Sequence, residues 1–429
     1  SLDFAGNRKG EIWDGRFSGK WAHAYKNRYD GYVPGSQFRQ MSGRVMLGLK
    51  RHWGHTKLIG SVFQLKPGII EGERNEITGR LICPSGELRE YAVQLPYQHV
   101  NHYKLVWDNA LNLSCGTMKL VVGYQQNQRK EFEEHDHDGD EEDEGHEHGA
   151  DHPALYFKLH TLTYDARYIT NEMRGWKVSA GVGGMWQLSQ NLGEEYLIPA
   201  YSLFDFGVYM TASKEYRNWT LNGGLRYDYR HLHSEKLEED GIERFVDFSR
   251  KFNCVTGSLG AVWNINDQFN LRMNVARGFR APNVSELGSN GNHEGSLRYE
   301  VGNRQLKAEY SLQFDLGLDF TSRYVSAQVA AFANHIDNFI FMCSNGSYTN
   351  DGDPVFVYTQ SDARLMGFEV GMDIHPIHSL HIGNTFSYVN ARLKNQPTER
   401  KYLPYTPAPR WTSELKWEII HQKHATYSK

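Results

Sequence analysis

The sequence predicts an all-β protein, a transmembrane antiparallel β-barrel of the outer-membrane type. Three observations predict it: apolar and polar residues alternate over long segments, aromatic residues and glycine are abundant, and short connections alternate with long ones. Tyr, Phe and Trp make up 13% of the 429 residues, with 41 Gly and only 13 Pro, a composition typical of β-sheets. The mean hydropathy is −0.63, and no apolar run approaches the roughly 18 residues of a membrane helix, which excludes helical membrane proteins.

The alternation has the two-residue period of a β-strand. It covers 103–115, 176–188, 366–374 and 411–419, and it gives each strand one apolar and one polar face. A tilted membrane strand needs about 9–11 residues, against about 5–6 in a soluble sandwich, and these segments are long. A soluble β-propeller is the alternative, but its blades would share a motif every 40–50 residues or so, and no such repeat is present.

The same pattern predicts which side chains share a face within 176–188. The apolar set is expected to face lipid and the polar set to face the lumen, because a strand points successive side chains to opposite sides. The outward set comprises Val178, Val182 and Trp186. The inward set comprises Ser179, Gly183 and Gln187.

Connection lengths alternate along the chain. Short turns are predicted near 115–117, 171–175 and 321–324, and long connections near 132–154, 278–308 and 341–358. Outer-membrane barrels have short turns at one rim and long loops at the other, so each set is expected at its own rim. The predicted strands number about sixteen and begin near residues 15, 40, 56, 102, 117, 155, 176, 201, 219, 250, 269, 309, 325, 360, 380 and 409.

Charge is distributed unevenly. The formal net charge is −4, yet 131–152 is densely acidic and contains no Lys or Arg, so the remainder is mildly basic. Basic residues form no stripe of the kind that binds nucleic acid, and no nucleic-acid partner is expected. The four cysteines (Cys83, Cys115, Cys254 and Cys343) fit no metal-binding spacing and leave the redox compartment open.

The acidic segment 131–152 is the clearest candidate metal site. Its histidines are interspersed with carboxylates, and imidazole with carboxylate suits Zn²⁺ and, less selectively, Cu²⁺, Ni²⁺ or iron. Irregular spacing and interrupting glycines predict a flexible capture loop with exchangeable sites. The alternative is a solvated acidic loop, the usual meaning of a like-charge run. The candidate ligands are His135, Asp136, His137, Asp138, His146, His148 and His152.

Two later segments carry a family resemblance. Residues 277–283 read RGFRAPN and residues 302–309 read GNRQLKAE, while 403–410 read LPYTPAPR. This arrangement resembles the signature of TonB-dependent outer-membrane receptors, and the strand and loop rhythm extends the resemblance along the chain. Arg280 in the first segment is a candidate ligand-binding residue.

The resemblance implies a barrel of twenty-two strands whose lumen is filled by an N-terminal plug. Residues 1–429 would then be a partial barrel lacking the plug domain, and its first and last strands should share no ladder. The chain begins at Ser1 without a methionine and ends at Lys429 within the strand pattern; we interpret it as a piece of a longer precursor, for which a missing signal peptide carries no meaning. The implied partners are outer-membrane lipid and, through the plug, the TonB complex of the inner membrane.

Three histidines outside the acidic segment are further candidates. In haem receptors of this family a histidine between a FRAP box and an NPDL box binds haem iron, and His293 lies between Phe279–Pro282 and Gly302–Leu306, although the second segment reads GNRQL. His99 and His102 lie where the fourth strand is predicted to begin. Three residues apart on a strand, they would face opposite sides and could share a site only in a loop.

These observations predict a receptor for uptake of a metal ion or metal complex across the outer membrane of a Gram-negative bacterium, with zinc as the favoured cargo. Capture at the acidic loop would precede transfer to a lumenal site. A haem or siderophore–iron receptor is the alternative within the family, and a non-transporting surface-binding barrel is the alternative from another class. No enzyme is expected, because the sequence contains no nucleophile elbow, HExxH, P-loop or GxGxxG. No cofactor is required; Zn²⁺ or another divalent metal would be the transported ligand.

Overall fold

The computed structural model describes residues 1–70, 75, 77–81, 91–133, 152–239, 241–293, 298–350, 352–377, 379–394, 396 and 401–417. Its elements are one short helix, α1 (Val284–Gly288), and strands β1 (Leu2–Arg8), β2 (Glu11–Ala22), β3 (Lys26–Asn27), β4 (Gly31–Tyr32), β5 (Phe38–Arg51), β6 (Gly54–Pro67), β7 (Tyr97–Leu113), β8 (Gly116–Phe132), β9 (Leu155–Thr170), β10 (Trp176–Asn191), β11 (Tyr201–Tyr216), β12 (Trp219–Ser234), β13 (Leu237–Glu239), β14 (Ile242–Phe245), β15 (Phe248–Asn264), β16 (Phe269–Arg280), β17 (Asn290–His293), β18 (Arg298–Val301), β19 (Glu309–Thr321), β20 (Val325–Tyr348), β21 (Pro354–Ile377), β22 (Leu380–Leu393) and β23 (Arg410–Trp417). Across these ranges, none of the helical structure is long and apolar enough to cross a membrane.

One antiparallel wall contains most of these strands. Nineteen strands of the described residues form a single sheet, and all but β17 and β18 follow one another in chain order, each antiparallel to the next. The hairpin β17–β18 joins the wall through a parallel pairing of β18 with β21. The predicted all-β wall is confirmed.

The wall has one strand more than predicted. β1 pairs with β2 along its whole length, with Leu2 opposite Phe17 and Arg8 opposite Glu11. The prediction missed it because β1 has only seven residues, too few to show sustained alternation. Within the described ranges, no ladder joins β23 to β1 or β2, as expected for part of a larger barrel.

The two faces of β10 carry the predicted side chains. Val182 and Trp186 are 37% and 42% exposed, and they lie opposite Val208 and Phe204, which are also exposed and apolar. On the other face Gly183 is buried. There the Gln187 amide donates to the Thr161 hydroxyl at 3.1 Å. The predicted register is therefore confirmed.

The polar face is the inner one. Met185 of β10 shares this face with Gln187 and packs against a buried cluster that belongs in part to the connection 281–308. The cluster comprises Leu203, Leu232, Val284, Leu287, Leu306 and Ile340. Because a connecting segment covers this face, its apolar counterpart faces outward.

This register predicts a strong effect of one charge on the outer face. Val182→Arg is expected to lower the free energy of unfolding by about 2–4 kcal/mol, because an arginine near the bilayer midplane loses its hydration. Ser179→Arg, on the inner face of the same strand, is the matched control and should cost much less. Urea unfolding of the barrel in phospholipid vesicles measures both, and equal losses would contradict the assigned faces.

The long and short connections lie at opposite rims, as predicted, but the predicted connection 341–358 is mostly strand, because β20 continues to Tyr348 and β21 begins at Pro354. We call the end that carries the short turns the turn rim. There Phe269 pairs with Phe320 and Thr321 pairs with Ser326, whereas Arg280 pairs with Glu309 at the other end of β16 and β19. Glu131 pairs with Leu155 at this second end, so the ends of 132–154 emerge where 278–308 does. We call this end the loop rim.

Candidate metal- and ligand-binding sites at the two rims

The acidic segment starts and ends in firmly packed chain at the loop rim. Most of its predicted ligands (His135, Asp136, His137, Asp138, His146 and His148) lie outside the described residues. His152 is described and exposed. On the entering strand the Glu131 side chain is buried and accepts a hydrogen bond from Gln98 at 3.2 Å, while the Tyr97 and Phe132 rings lie 4.9 Å apart. On the leaving side Ala154 and Leu155 are buried.

Arg280 lies at the centre of an ion-pair network. Its Nε and Nη2 donate to the two carboxylate oxygens of Glu309 at 2.8 and 2.6 Å, and its Nη1 donates to Glu286 at 2.8 and 2.9 Å. Each glutamate is only 8% exposed. All three guanidinium nitrogens therefore have carboxylate partners, and a ligand contact by Arg280 remains a prediction.

This network joins the two segments that carry the family resemblance. Arg280 belongs to 277–283, and its partner Glu309 closes 302–309. Glu286 also completes a capping box, because Asn283 accepts from the Glu286 amide while the Glu286 carboxylate accepts from the Asn283 amide. The Glu286 carbonyl then accepts from the Asn303 amide at 2.8 Å. The motif spacing thus reflects a folded loop held over the lumen.

His293 lies on a hairpin at the same rim. Its backbone pairs with Arg298 across β17 and β18. Nearby, the buried Glu300 accepts from Arg298 Nη2 at 2.7 Å and from the Tyr358 hydroxyl at 3.2 Å. Burial and the Glu300 carboxylate raise the pKa of Tyr358, so its phenol stays protonated as a donor. A haem-ligand role for His293 stays a prediction.

His99 and His102 do not share a site. β7 begins at Tyr97, so both histidines lie on a strand and point to opposite faces. His102 lies 3.3 Å from the Asn127 amide on the inner face. His99 lies on the outer face, 3.0 Å from the Gln64 amide. The strand starts earlier than the predicted position near 102, because the sequence gives no breaker there.

Burial and basic neighbours lower the pKa of His99. With a rise of about 3.3 Å per residue and a strand tilt of about 45°, His99 lies roughly 30 Å above the turn that follows β7. The apolar band of such a barrel is about 25 Å tall, so His99 lies outside that band. Burial, followed by the ammonium groups of Lys66 and Lys130, lowers its pKa. A neutral imidazole can ligate a metal, but two neighbouring cations oppose the approach of one.

Two His/Asp clusters among the described residues were not predicted from the sequence. One comprises Asp373, His375 and His381 at the turn rim, and the other comprises His335, Asp337 and Asp362 towards the loop rim. Each combines residues of two paired strands, so its members are scattered in sequence. The only sequence signal was the pair of histidines on either side of the turn near 375–379.

The comparisons with known proteins decide the family. A family model described as "TonB dependent receptor-like, beta-barrel" matches residues 79–427. The chain belongs to this family. An iron-regulated outer membrane virulence protein of Vibrio cholerae serotype O1 is 22% identical over 165 residues, which cover 37% of this chain and 25% of that protein.

Solved structures show the same fold over almost the whole chain. The copper transporter OprC has a TM-score of 0.75 at 16% identity and covers 97% of this chain. The hemophore receptor HasR of Serratia marcescens, in complex with its hemophore and heme, has a TM-score of 0.69 at 14% identity and also covers 97%. This chain spans 62% and 68% of those two chains and a quarter of the Vibrio protein.

These similarities confirm the predicted fold class, family and location: the chain forms part of an outer-membrane β-barrel of a Gram-negative bacterium. The prediction that it is not an enzyme agrees with a family of transport receptors. The names of these three proteins refer to iron, copper and heme, and none of the three refers to zinc.

Proposed function

We propose that this barrel is the larger part of a TonB-dependent receptor that takes up a metal ion across the outer membrane, with zinc as its cargo. The observation that carries the proposal is the segment 131–152, in which five histidines stand among carboxylates, with both of its ends packed at the loop rim. In the complete protein a plug domain would fill the lumen and engage the TonB complex.

The donor chemistry supports a divalent metal of the first transition row. Neutral imidazole and carboxylate together suit Zn²⁺, and the absence of cysteine from 131–152 disfavours a closed structural zinc site. Several weak, exchangeable ligand sets suit a receptor that must both capture and release its cargo. The names of the related copper and iron proteins are compatible with a metal or metal complex as the ligand.

A haem or siderophore–iron complex is the second candidate. It is favoured by His293, which the hairpin β17–β18 holds at the loop rim between the two motif segments, and by the fold shared with a hemophore receptor. A non-transporting surface-binding barrel is the third candidate. It predicts ligand binding that is unaffected by loss of the TonB complex.

Binding should depend on pH. We expect the affinity of the purified receptor for Zn²⁺ to fall by at least about tenfold between pH 7.5 and 5.5, because protons compete with the metal for imidazole nitrogens. Equilibrium dialysis with radioactive zinc measures the affinity, and a variant with the five histidines of 131–152 replaced by alanine is the control. A pH-independent affinity, or a control that binds as many zinc ions in a pH-dependent way as the parent does, would count against histidine capture in this segment.

A further inference from the structure

We infer that Asp373, His375 and His381 form a second metal site, on the inner face at the turn rim. We call these three residues the exit-rim site, because the turn rim is the end of the barrel opposite the acidic segment. His375 and Asp373 belong to β21 and His381 to β22, the two strands of a hairpin. Metal binding here does not depend on the proposed function; only a role in releasing cargo would rest on it.

The hairpin register brings the three side chains together. Asp373 pairs with Gly383 across the ladder, so Asp373 and His381 are diagonal neighbours on one face. The pairing shifts by one residue between Ile374 and Ile377. Such a bulge re-aims the side chains beside it, and His375 follows Asp373 at this irregularity.

The spacing of the donor atoms fits one tetrahedral ion. His381 Nδ1 lies 3.1 Å and His375 Nδ1 lies 3.7 Å from Asp373 Oδ2. Two ligands bound to one zinc at about 2.1 Å are about 3.4 Å apart in tetrahedral geometry, and the two distances bracket that value. One donor atom from each of the three residues lies within 4.8 Å of the others.

One of the three donor atoms is buried and makes no hydrogen bond within the described part of the chain. This atom is His375 Nδ1, which lies 3.7 Å from Asp373 Oδ2, too far for a hydrogen bond. Leaving a buried polar atom unpaired costs free energy. A metal ion between His375 and Asp373 would satisfy both atoms.

The charged side chains beside the site nearly balance, because Asp319 is paired with Arg272 at 2.8 Å, so the negative charge available to a metal is mainly that of Asp373 itself. The site borders a cavity of about 680 Å³ whose wall also contains Asp319, Glu414 and Lys416. Lys416 lies opposite His381 in the ladder and opposes a cation, whereas Glu414, opposite Gly383, shares the same face and favours one. Three protein ligands leave one coordination position for water, the arrangement of an exchangeable site rather than a closed structural one.

The cluster of His335, Asp337 and Asp362 is less suited to a metal ion. Its His335 Nε2 lies 3.0 Å from Asp337 but also 3.4 Å from the Lys394 ammonium. Asp362 Oδ1 accepts from the Asn338 amide at 3.2 Å. The Lys394 ammonium beside His335 and the backbone N–H bound to Asp362 both disfavour a metal ion in this cluster. His335 is therefore a suitable control.

The test uses full-length receptor whose five histidines in 131–152 are replaced by alanine, so that the acidic segment contributes no imidazole. With one equivalent of Cu²⁺ as probe, electron paramagnetic resonance should show hyperfine coupling to two imidazole nitrogens. His375→Gln and His381→Gln should each leave one nitrogen. Asp373→Asn should weaken Zn²⁺ binding at least about tenfold in dialysis, whereas His335→Gln should change neither measurement.

Heat-modifiable migration on gels checks that each variant is assembled. If assembled Asp373→Asn and His375→Gln receptors bind Zn²⁺ and Cu²⁺ as their parent does, the exit-rim site is wrong. An equal loss in the His335→Gln control would also overturn it. Because the five histidines of 131–152 are absent throughout, failure here leaves the proposed capture function untouched, and failure of capture leaves this site untouched.

Discussion

Arg280→Ala should lower the free energy of unfolding of the receptor by about 3 kcal/mol and reduce the amount that assembles in the outer membrane. The variant leaves two buried carboxylates without the cation that they share. These are Glu286 and Glu309, each 8% exposed. Breaking a buried ion pair from one side costs about 3–5 kcal/mol; the lower end applies because the guanidinium is itself 42% exposed. Urea unfolding without ligand gives the loss directly.

Arg272→Ala is the matched control. Arg272 pairs with Asp319 at 2.8 Å near the turn rim, and both side chains are more exposed than the glutamates of the Arg280 network. Its removal should cost less than about 1 kcal/mol. Adding Glu309→Gln to Arg280→Ala should restore part of the stability, because the amide oxygen can still accept from the Ile340 N–H. Equal losses for Arg280→Ala and Arg272→Ala would show that the network does not organise the loop.

Replacing His135, His137, His146, His148 and His152 together by alanine should weaken zinc-dependent growth when zinc is limiting. The twelve carboxylates of 131–152 are retained, so the net charge at neutral pH and its attraction for cations stay almost the same while the imidazole ligands are lost. When His375→Gln is also present to remove the second site, the affinity for Zn²⁺ should fall at least about tenfold, because carboxylates alone hold this ion less well. Growth rates across a chelator series measure the effect.

Assembly provides the control for this experiment. The variant should reach the outer membrane in the parent's amount, because β8 ends at Phe132 and β9 begins at Leu155, so none of the substitutions falls within a described strand. If growth and zinc binding match the parent in assembled receptor, 131–152 is a solvated acidic surface. Haem or a siderophore–iron complex would then become the favoured cargo.

Most of the fold was predicted from the alternation of apolar and polar residues along the strands. The inward and outward sets of β10 followed from alternation alone, because a slip of one residue would expose Gln187 to lipid and bury Trp186 against a polar face. β1 was missed because seven residues that include only Leu2 and Phe4 as large apolar side chains do not stand out. Its partner β2 supplies the hydrogen bonds that make it a strand.

The sites were less predictable, because they depend on contacts between distant residues. Arg280 was predicted from a motif, but the structure shows that Glu286 and Glu309 take up its donors, which no spacing rule reveals. Asp373, His375 and His381 form a cluster only through the register of one hairpin and its bulge. His99 and His102 look like a pair in sequence and are separated because β7 begins before both.

Uptake of radioactive zinc into whole cells tests the central claim most directly. Cells that produce the full-length receptor should accumulate zinc faster than cells without it, and the difference should disappear when the TonB complex is inactivated or when the five histidines of 131–152 are replaced by alanine. Uptake that is the same with and without the assembled receptor would contradict zinc transport by this barrel.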